Sequence, residues 1–489
     1  MVLTARAEKA WRLLRLALTP AALFIMCPAS TALARNTSQL PPVVIRALEQ
    51  YRIPQSSLSV FVQDVRSNEI ILALNSDAPR KPASTIKVLT TIAALDALGP
   101  AHKWTTRAYA TAPIKQGTLD GDLIIVGGGD PYLTAERWWS FTNQLRQTGL
   151  THINGDIVID RSLFAPLIED RASLDKQPQR SYNVVPDALM VNFQTSTFTI
   201  GPGADPKRAA INVDPLPANL VVTNNVRLSG GGCRRAQQGL RFETPQGTSG
   251  NALTIRGTAP RNCGRYSVTR AVMSAPEYAY GTFRTLWEQS GGTIKGKLRL
   301  EQLPPKARLI HEFDSLTLGE VVRLVNKYSN NVMARHLLLT LAVEKYGAPA
   351  TTDSGRRAVH AWLAEKQIAI PGFVLDNGSG LSRDERITAR GLGQILHAGW
   401  HSQYMPEFVA SLPLAGTDGT LRNRFDAAGM RGRIRMKTGH LDDVSSLAGY
   451  VNSVSGNNYI VSIVVNHPGA EFGTGDDVQA ALLKWVFTQ

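Results

Sequence analysis

The sequence predicts an α/β fold: an α+β sandwich whose sheet is assembled from both ends of the chain, interrupted by a large, mainly β insertion. Three observations predict it. Strand-like alternation occurs near the start of the chain, at residues 58–64 and 69–74, and returns near its end at 434–438, where two more strand patterns follow at 446–454 and 459–466. Helical periodicity dominates between them, over 318–326, 332–345, 355–366 and 389–400, with a last helix at 477–487. From residue 103 to 303 the texture changes. Short β-like runs at 121–129, 155–160, 209–213, 220–228 and 253–257 alternate with turn residues, and helical patterning is scarce before 279–289.

Each element has a local cause. The two N-terminal strands flank Arg66-Ser67-Asn68, a turn-forming triplet, and so read as a hairpin. Pro82, just ahead of Ser84, suits a helix start, and the following run over 85–98 carries Ile86, Leu89, Ile92, Ala93 and Leu95 with little polar surface. Such a helix is expected to be buried on most sides and to serve as a domain's axis. At the other end, Ser455-Gly456-Asn457-Asn458 separates two strand patterns as a turn.

Length and composition bound the function. At roughly 150 residues per domain, 489 residues suit about three domains or one catalytic domain with a large insertion. A hydrophobic content of 43% and a charged content of 19% exclude wholesale disorder, collagen and coiled coil. The net charge of +14 raises nucleic acid or an anionic surface as a partner. Part of it belongs to the N-terminus. Arg6, Lys9, Arg12 and Arg15 precede an apolar run over 16–26, and Ala32-Leu33-Ala34 follows, the layout of a secretory signal over 1–34 cleaved before Arg35. Eleven apolar residues are too few to span a bilayer comfortably, so no stable membrane anchor is expected. Cleavage removes four basic residues and Glu8, leaving +11. Cys233 and Cys263 then remain as a pair, which in an oxidising compartment suggests a disulfide, two free buried thiols being the alternative.

Familiar hydrolase and nucleotide signatures are absent: no Gly-x-Ser-x-Gly, no His-Glu-x-x-His and no Walker loop, and the nine His show no metal spacing. No metal or cofactor is expected. What remains is a serine chemistry without histidine. Ser84-Thr85-Ile86-Lys87 opens the apolar helix and sets an amine one turn from a hydroxyl, so the amine can take the hydroxyl proton during attack on an acyl carbon. The pattern is cheap alone, since Ser173-Leu174-Asp175-Lys176 repeats it in a polar stretch. Ser329-Asn330-Asn331 falls between two helical runs, where a loop can aim a hydroxyl and an amide into a cleft. Its decoy, Ser181-Tyr182-Asn183, lies in an irregular segment. Lys437-Thr438-Gly439 ends a strand, where Lys and Thr can meet a carboxylate and Gly lets a substrate backbone approach. Their order and setting together carry the assignment.

The three motifs resemble those of penicillin-binding proteins and serine β-lactamases. With the stretches around Gly121-Asp122-Leu123, Asn377-Gly378-Ser379-Gly380-Leu381-Ser382-Arg383, Leu412-Pro413-Leu414-Ala415-Gly416 and Leu447-Ala448-Gly449-Tyr450-Val451, the chain looks like a class C low-molecular-mass penicillin-binding protein, of the D-Ala-D-Ala carboxypeptidase/endopeptidase family. Ser84 and Ser329 lie 245 positions apart, more than a compact β-lactamase needs. The resemblance implies a peptidase domain in two parts, 35–102 and 305–489, around inserted domains at 103–304. It implies Ser84 as nucleophile, Lys87 as its base with a pKa lowered by the Lys437 cation, and Ser329 and Asn331 as proton shuttle and amide holder. Lys437 and Thr438 would bind the terminal carboxylate. The backbone N–H groups of Ser84 and of His440, the residue after Gly439, would form the oxyanion hole. His440 stands where the family more often has Ser or Thr. Asp160 and Arg383 match stretches that read the substrate's side chain, a turn carboxylate and a surface ion pair being the alternatives. The implied partners are peptidoglycan stem peptides and cross-links, with β-lactam antibiotics as inhibitors and no nucleic acid, and the implied location is the periplasm. A β-lactamase and a catalytically idle wall-binding protein are the rival functions.

Overall fold

A computed structural model describes residues 38–244, 251–427 and 429–489. The secretory signal expected over 1–34 lies outside the described residues. In chain order the elements that build the site are α1 (Pro42–Gln50), β1 (Leu58–Asp64), β2 (Ile70–Leu74), α2 (Lys87–Leu98), α3 (Leu318–Tyr328), α4 (Asn331–Tyr346), α5 (Ala389–Trp400), β3 (Ile434–Leu441), β4 (Val444–Asn452), β5 (Asn458–Asn466) and α6 (Thr474–Phe487).

The five strands form one antiparallel sheet in the order β3-β4-β5-β1-β2, so that both ends of the chain contribute as expected. In β5, Val461, Ile463 and Val465 join a core with α1 and α6, while Ile460 and Val464 join one with α2 to α5. Both faces are therefore covered. That is why β5 reads as a nearly continuous apolar run from Tyr459 to Val465, broken only by Ser462, rather than as clean alternation. Helix α2 is buried from Lys87 to Leu95 and packs against α3, α4 and α5, which makes it the axis of the helical layer.

Between α2 and α3 the described residues form four sheets, so the mainly β texture holds. A five-stranded mixed sheet pairs Thr105–Ala110 with Arg308–Asp314, the strands by which the chain leaves and re-enters the helical layer. One element departs from expectation. Ala135–Gln147 is a helix, capped by Thr134, that buries Trp138, Phe141, Thr142 and Leu145 at helical spacing. Trp138 stacks on Phe141 at 4.8 Å and meets Phe283 of the Ala275–Gln289 helix at 5.9 Å. Cys233 and Cys263 are disulfide-bonded across a Cα separation of 5.3 Å. Among the described residues, no helix is long and apolar enough to cross a membrane.

Candidate active site

The Ser84 turn precedes the α-helix proper. Ala83–Ile86 forms a 3₁₀ turn, and α2 continues from Lys87. Ala83 holds φ +47°, a left-handed conformation uncommon for a residue with a Cβ. The turn is fixed from both sides, because Thr85 Oγ1 donates to the Pro82 carbonyl at 2.7 Å and Ser446 Oγ of β4 donates to the same carbonyl at 2.6 Å. Ser84 is half-buried and Lys87 fully buried. Lys87 Nζ lies 3.0 Å from Ser84 Oγ and 2.6 Å from Asn331 Oδ1, and also meets the Ser379 carbonyl.

Three partners are one too many for a neutral amine acting only as donor. An ammonium has three N–H bonds to give, whereas an amine has two and a lone pair. With Asn331 Oδ1 and the Ser379 carbonyl able only to accept, the lone pair falls to the Ser84 hydroxyl. Burial brings the Lys87 pKa down to about 7, against an opposing pull from the Glu385 carboxylate. Desolvation, rather than the Lys437 cation, is thus the leading cause of the shift.

The Ser-x-Asn motif sits where two helices break. Ser329 ends α3 in the left-handed conformation (φ +57°, ψ +37°), and Asn330 caps α4 by accepting the Met333 N–H at 3.0 Å. The break lets the motif serve both lysines. Asn331 meets Lys87, while Ser329 Oγ accepts from Lys437 Nζ at 2.8 Å. Lys437 is fully buried, and burial together with repulsion from Lys87 pulls its pKa well down. Thr438 Oγ1 donates to Thr420 Oγ1 at 2.8 Å.

Gly439 is where strand β3 and the Ser84 turn touch. A Cβ there would lie 2.4 Å from Ser446 Oγ, 2.8 Å from the Pro82 oxygen and 2.9 Å from the Ser84 nitrogen. Only glycine permits that approach, which brings β3 alongside the Ser84 N–H. The next side chain turns away. His440 is exposed, and its Nε2 pairs with Asp476 Oδ1 at 2.9 Å, an oxygen that also accepts from Ser445 Oγ at 2.7 Å.

The two side-chain-reading candidates are not brought together. Arg383 pairs with Asp442 at 2.6 Å, donates to the Leu174 carbonyl at 3.1 Å, and lines a cavity of about 500 Å³ with Glu169, Arg171, Asp376 and Asp384. Asp160 is buried and lines a different cavity, of about 630 Å³. Its oxygens are taken by the Ser162 N–H at 2.8 Å and the Leu303 N–H at 2.7 Å, the contacts of a turn carboxylate. Of the decoys, Ser181–Asn183 forms a 3₁₀ turn whose Asn183 amide donates to Asp175 at 2.9 Å. Among the described residues, no group of three or more His, Cys, Asp or Glu could hold a metal ion.

Sequence reasoning missed Thr420, the Ser379 carbonyl and Glu385. The loop holding Ser379 presses on the Ser84 turn, for a Cβ on Gly380 (φ +82°) would lie 2.1 Å from the Ala83 oxygen. The glycines of Asn377-Gly378-Ser379-Gly380 were the available signal for that close approach.

Comparison with known proteins gives this constellation a family. The chain is 28% identical to a D-alanyl-D-alanine carboxypeptidase of Actinomadura sp. (strain R39), over 98% of this chain and 91% of that protein. It is 26% identical to the D-alanyl-D-alanine carboxypeptidase DacB of Haemophilus influenzae, over 87% and 88% of the two chains. The crystal structure of penicillin binding protein 4 (dacB) from Haemophilus influenzae shares the fold with a TM-score of 0.79 at 24% identity, covering 91% of this chain and 99% of that one. A model of the D-Ala-D-Ala carboxypeptidase 3 (S13) family matches residues 43–488. Because that match runs from α1 to the end of α6 and takes in every motif above, the chain belongs to the S13 family, as a class C low-molecular-mass penicillin-binding protein and a serine-type D-Ala-D-Ala carboxypeptidase.

Proposed function

We propose that Ser84 is the nucleophile of a D,D-peptidase that trims D-Ala-D-Ala stems of peptidoglycan and also cleaves its cross-links, in the periplasm, with β-lactams as acylating inhibitors. The observation that carries this reading is the buried Lys87 amine 3.0 Å from Ser84 Oγ. As Oγ attacks the penultimate D-alanine carbonyl, its proton passes to the Lys87 lone pair. The carbonyl oxygen then gains charge that the Ser84 and His440 backbone N–H groups stabilise. The proton on Lys87 then passes by way of the Ser329 hydroxyl, which Lys437 holds, to the departing amine, so that Lys87 is neutral again and Ser329 keeps a proton, and Asn331 holds the substrate amide. Lys437 and Thr438 bind the terminal carboxylate, and water releases the acyl group. Arg383, which lines the cavity beside the Ser379 loop, and Asp160 would read the stem's side chain, Arg383 by leaving its pairing with Asp442 and Asp160 from a carboxylate that already accepts two backbone amides.

A carboxypeptidase and an endopeptidase break the same kind of bond and differ in the bulk of the leaving amine. A relative of known structure, penicillin binding protein 4 from Haemophilus influenzae, was crystallised in complex with a novel β-lactam, which supports binding of such compounds here. The test is liquid chromatography with mass spectrometry of purified sacculi incubated with the mature protein. Loss of cross-linked dimers reports endopeptidase action and shortened pentapeptides report carboxypeptidase action. Unchanged cleavage by Ser84→Ala would remove the mechanism, and rapid turnover of a fluorescent penicillin instead of a lasting adduct would make the protein a β-lactamase.

A further inference from the structure

Glu385 is a buried carboxylate with no role in the mechanism above. It is 1% exposed, on the loop that crosses the start of α2. Its Oε1 accepts the N–H of Asn377 at 3.2 Å and of Gly378 at 3.0 Å, and its Oε2 has no hydrogen-bond partner among the described residues. The two amides it holds immediately precede Ser379, whose carbonyl accepts from Lys87. Thr90 Oγ1 of α2 ties the same loop down through the Gly378 carbonyl at 2.7 Å.

Charge makes this placement functional. Two lysines, Lys87 and Lys437, are fully buried at the nucleophile and repel each other. From the loop, Glu385 is the acidic group acting on Lys87; Asp376, on the same loop, acts in turn on Glu385. From β3 the facing charge is Lys437, and Ser84 and Asn331 add only neutral dipoles. An unpaired carboxylate oxygen in such a setting is costly unless a cation offsets it.

We propose that Glu385 is a positioning residue for acylation: it anchors the loop that orients the Lys87 amine, and its charge governs the pH at which that amine becomes neutral and able to take the Ser84 proton. Burial raises the Glu385 pKa to about 7, into the range of Lys87, so the two titrate as a coupled pair.

The inference rests on the assignment of Ser84 as nucleophile and Lys87 as base, and the experiment separates the two. The second-order rate of acylation by a fluorescent penicillin is followed against pH for wild type, Glu385→Gln and Glu385→Asp. Gln keeps a carbonyl oxygen for the Asn377 and Gly378 amides but removes the charge. An anion near an amine favours the ammonium, so removing it lets Lys87 lose its proton earlier, and the acidic limb should move down by about half a pH unit or more. Asp should keep the limb near its wild-type position. A purely structural role would lower the rate in Gln without moving the limb, which overturns the inference while Ser84 still acylates. Absence of any dependence of acylation on Ser84 would instead sink the underlying assignment. Infrared difference spectra need no Glu385 variant: in Lys87→Ala the protonated-carboxyl band of Glu385 should persist to higher pH than in wild type, and equal persistence also overturns the inference.

Discussion

Gly439→Ala tests the contact on which the whole site turns. The added methyl would sit 2.8 Å from the Pro82 oxygen and 2.9 Å from the Ser84 nitrogen, both backbone atoms of the nucleophile turn, and 2.4 Å from Ser446 Oγ. Ser446 can rotate aside, although it then abandons its 2.6 Å bond to the Pro82 carbonyl. The backbone atoms cannot. Ordinary contact requires that β3 and the turn part by about half an ångström or more. The donors of an oxyanion hole act within a window of a few tenths of an ångström, so such a shift disables one of them. Acylation should fall by about 10²–10³-fold, on the order of 3–4 kcal/mol of transition-state stabilisation. Overpacking should cost only about 1–3 kcal/mol of folding free energy, so the variant remains folded. The assay is the second-order rate of Ser84 acylation by a fluorescent penicillin, with a circular-dichroism melt as control. A folded variant acylating within about threefold of wild type would refute the assignment of this contact to the oxyanion hole.

Other consequences follow from the same contacts. Since the Lys87 pKa is brought down to about 7 and the amine must be neutral to accept a proton, acylation should rise with pH through about 7 and fall about tenfold per unit well below it, which a pH series with one penicillin measures. Lys327 is buried, bonds both Asp418 oxygens at 2.7 Å and so pins the loop that carries Thr420; Lys327→Ala should lower stability by about 1–3 kcal/mol, discounted because Asp418 is one-third exposed, and should weaken carboxylate binding, seen as a raised KM for a D-Ala-D-Ala peptide. Cys233→Ser opens a disulfide spanning 30 residues and should cost about 3–4 kcal/mol in unfolding while leaving acylation below the melting temperature unchanged.

Local pattern and motif carried the sequence reading far. The sheet from both chain ends and the buried axis helix were legible because periodicity and turn chemistry are encoded within a few residues of where they act, whereas the meeting of Ser84, Lys87, Ser329, Asn331 and Lys437 was implied by the resemblance that their three motifs carry. The Ala135–Gln147 helix was equally legible in Trp138, Phe141, Thr142 and Leu145, yet the β-like runs around it masked that spacing. Glu385 was not. It lies between Asp384 and Arg386, in a charged run that reads as a solvated loop, and its burial exists only because the loop folds over α2. Thr420 and the Ser379 carbonyl are likewise products of contacts across long stretches of chain. Asp160 shows the opposite hazard, since a motif match says nothing of which amides a carboxylate has already satisfied.

The left-handed turn at Ser329 explains how one tripeptide can serve two lysines. In a continuous helix, residues two apart point about 200° away from each other, so Ser329 and Asn331 could not both face the cleft. Breaking the helix at Ser329 and restarting it at Asn331 redirects them, one to Lys437 and the other to Lys87. The hydroxyl and the backbone conformation are therefore separable contributions of the same residue. Ser329→Ala removes the hydroxyl and keeps a Cβ in a left-handed conformation, which costs about 1–2 kcal/mol for L-residues, whereas Ser329→Gly removes the hydroxyl and the strain together. Both variants should acylate slowly and to a similar extent if proton return depends on the hydroxyl. Ser329→Gly should nevertheless melt higher than Ser329→Ala, by roughly the strain less the entropic cost of glycine, about 0.5–1 kcal/mol. Equal melting would mean that the turn is unstrained, and wild-type acylation in either variant would mean that the hydroxyl held by Lys437 takes no part in the chemistry.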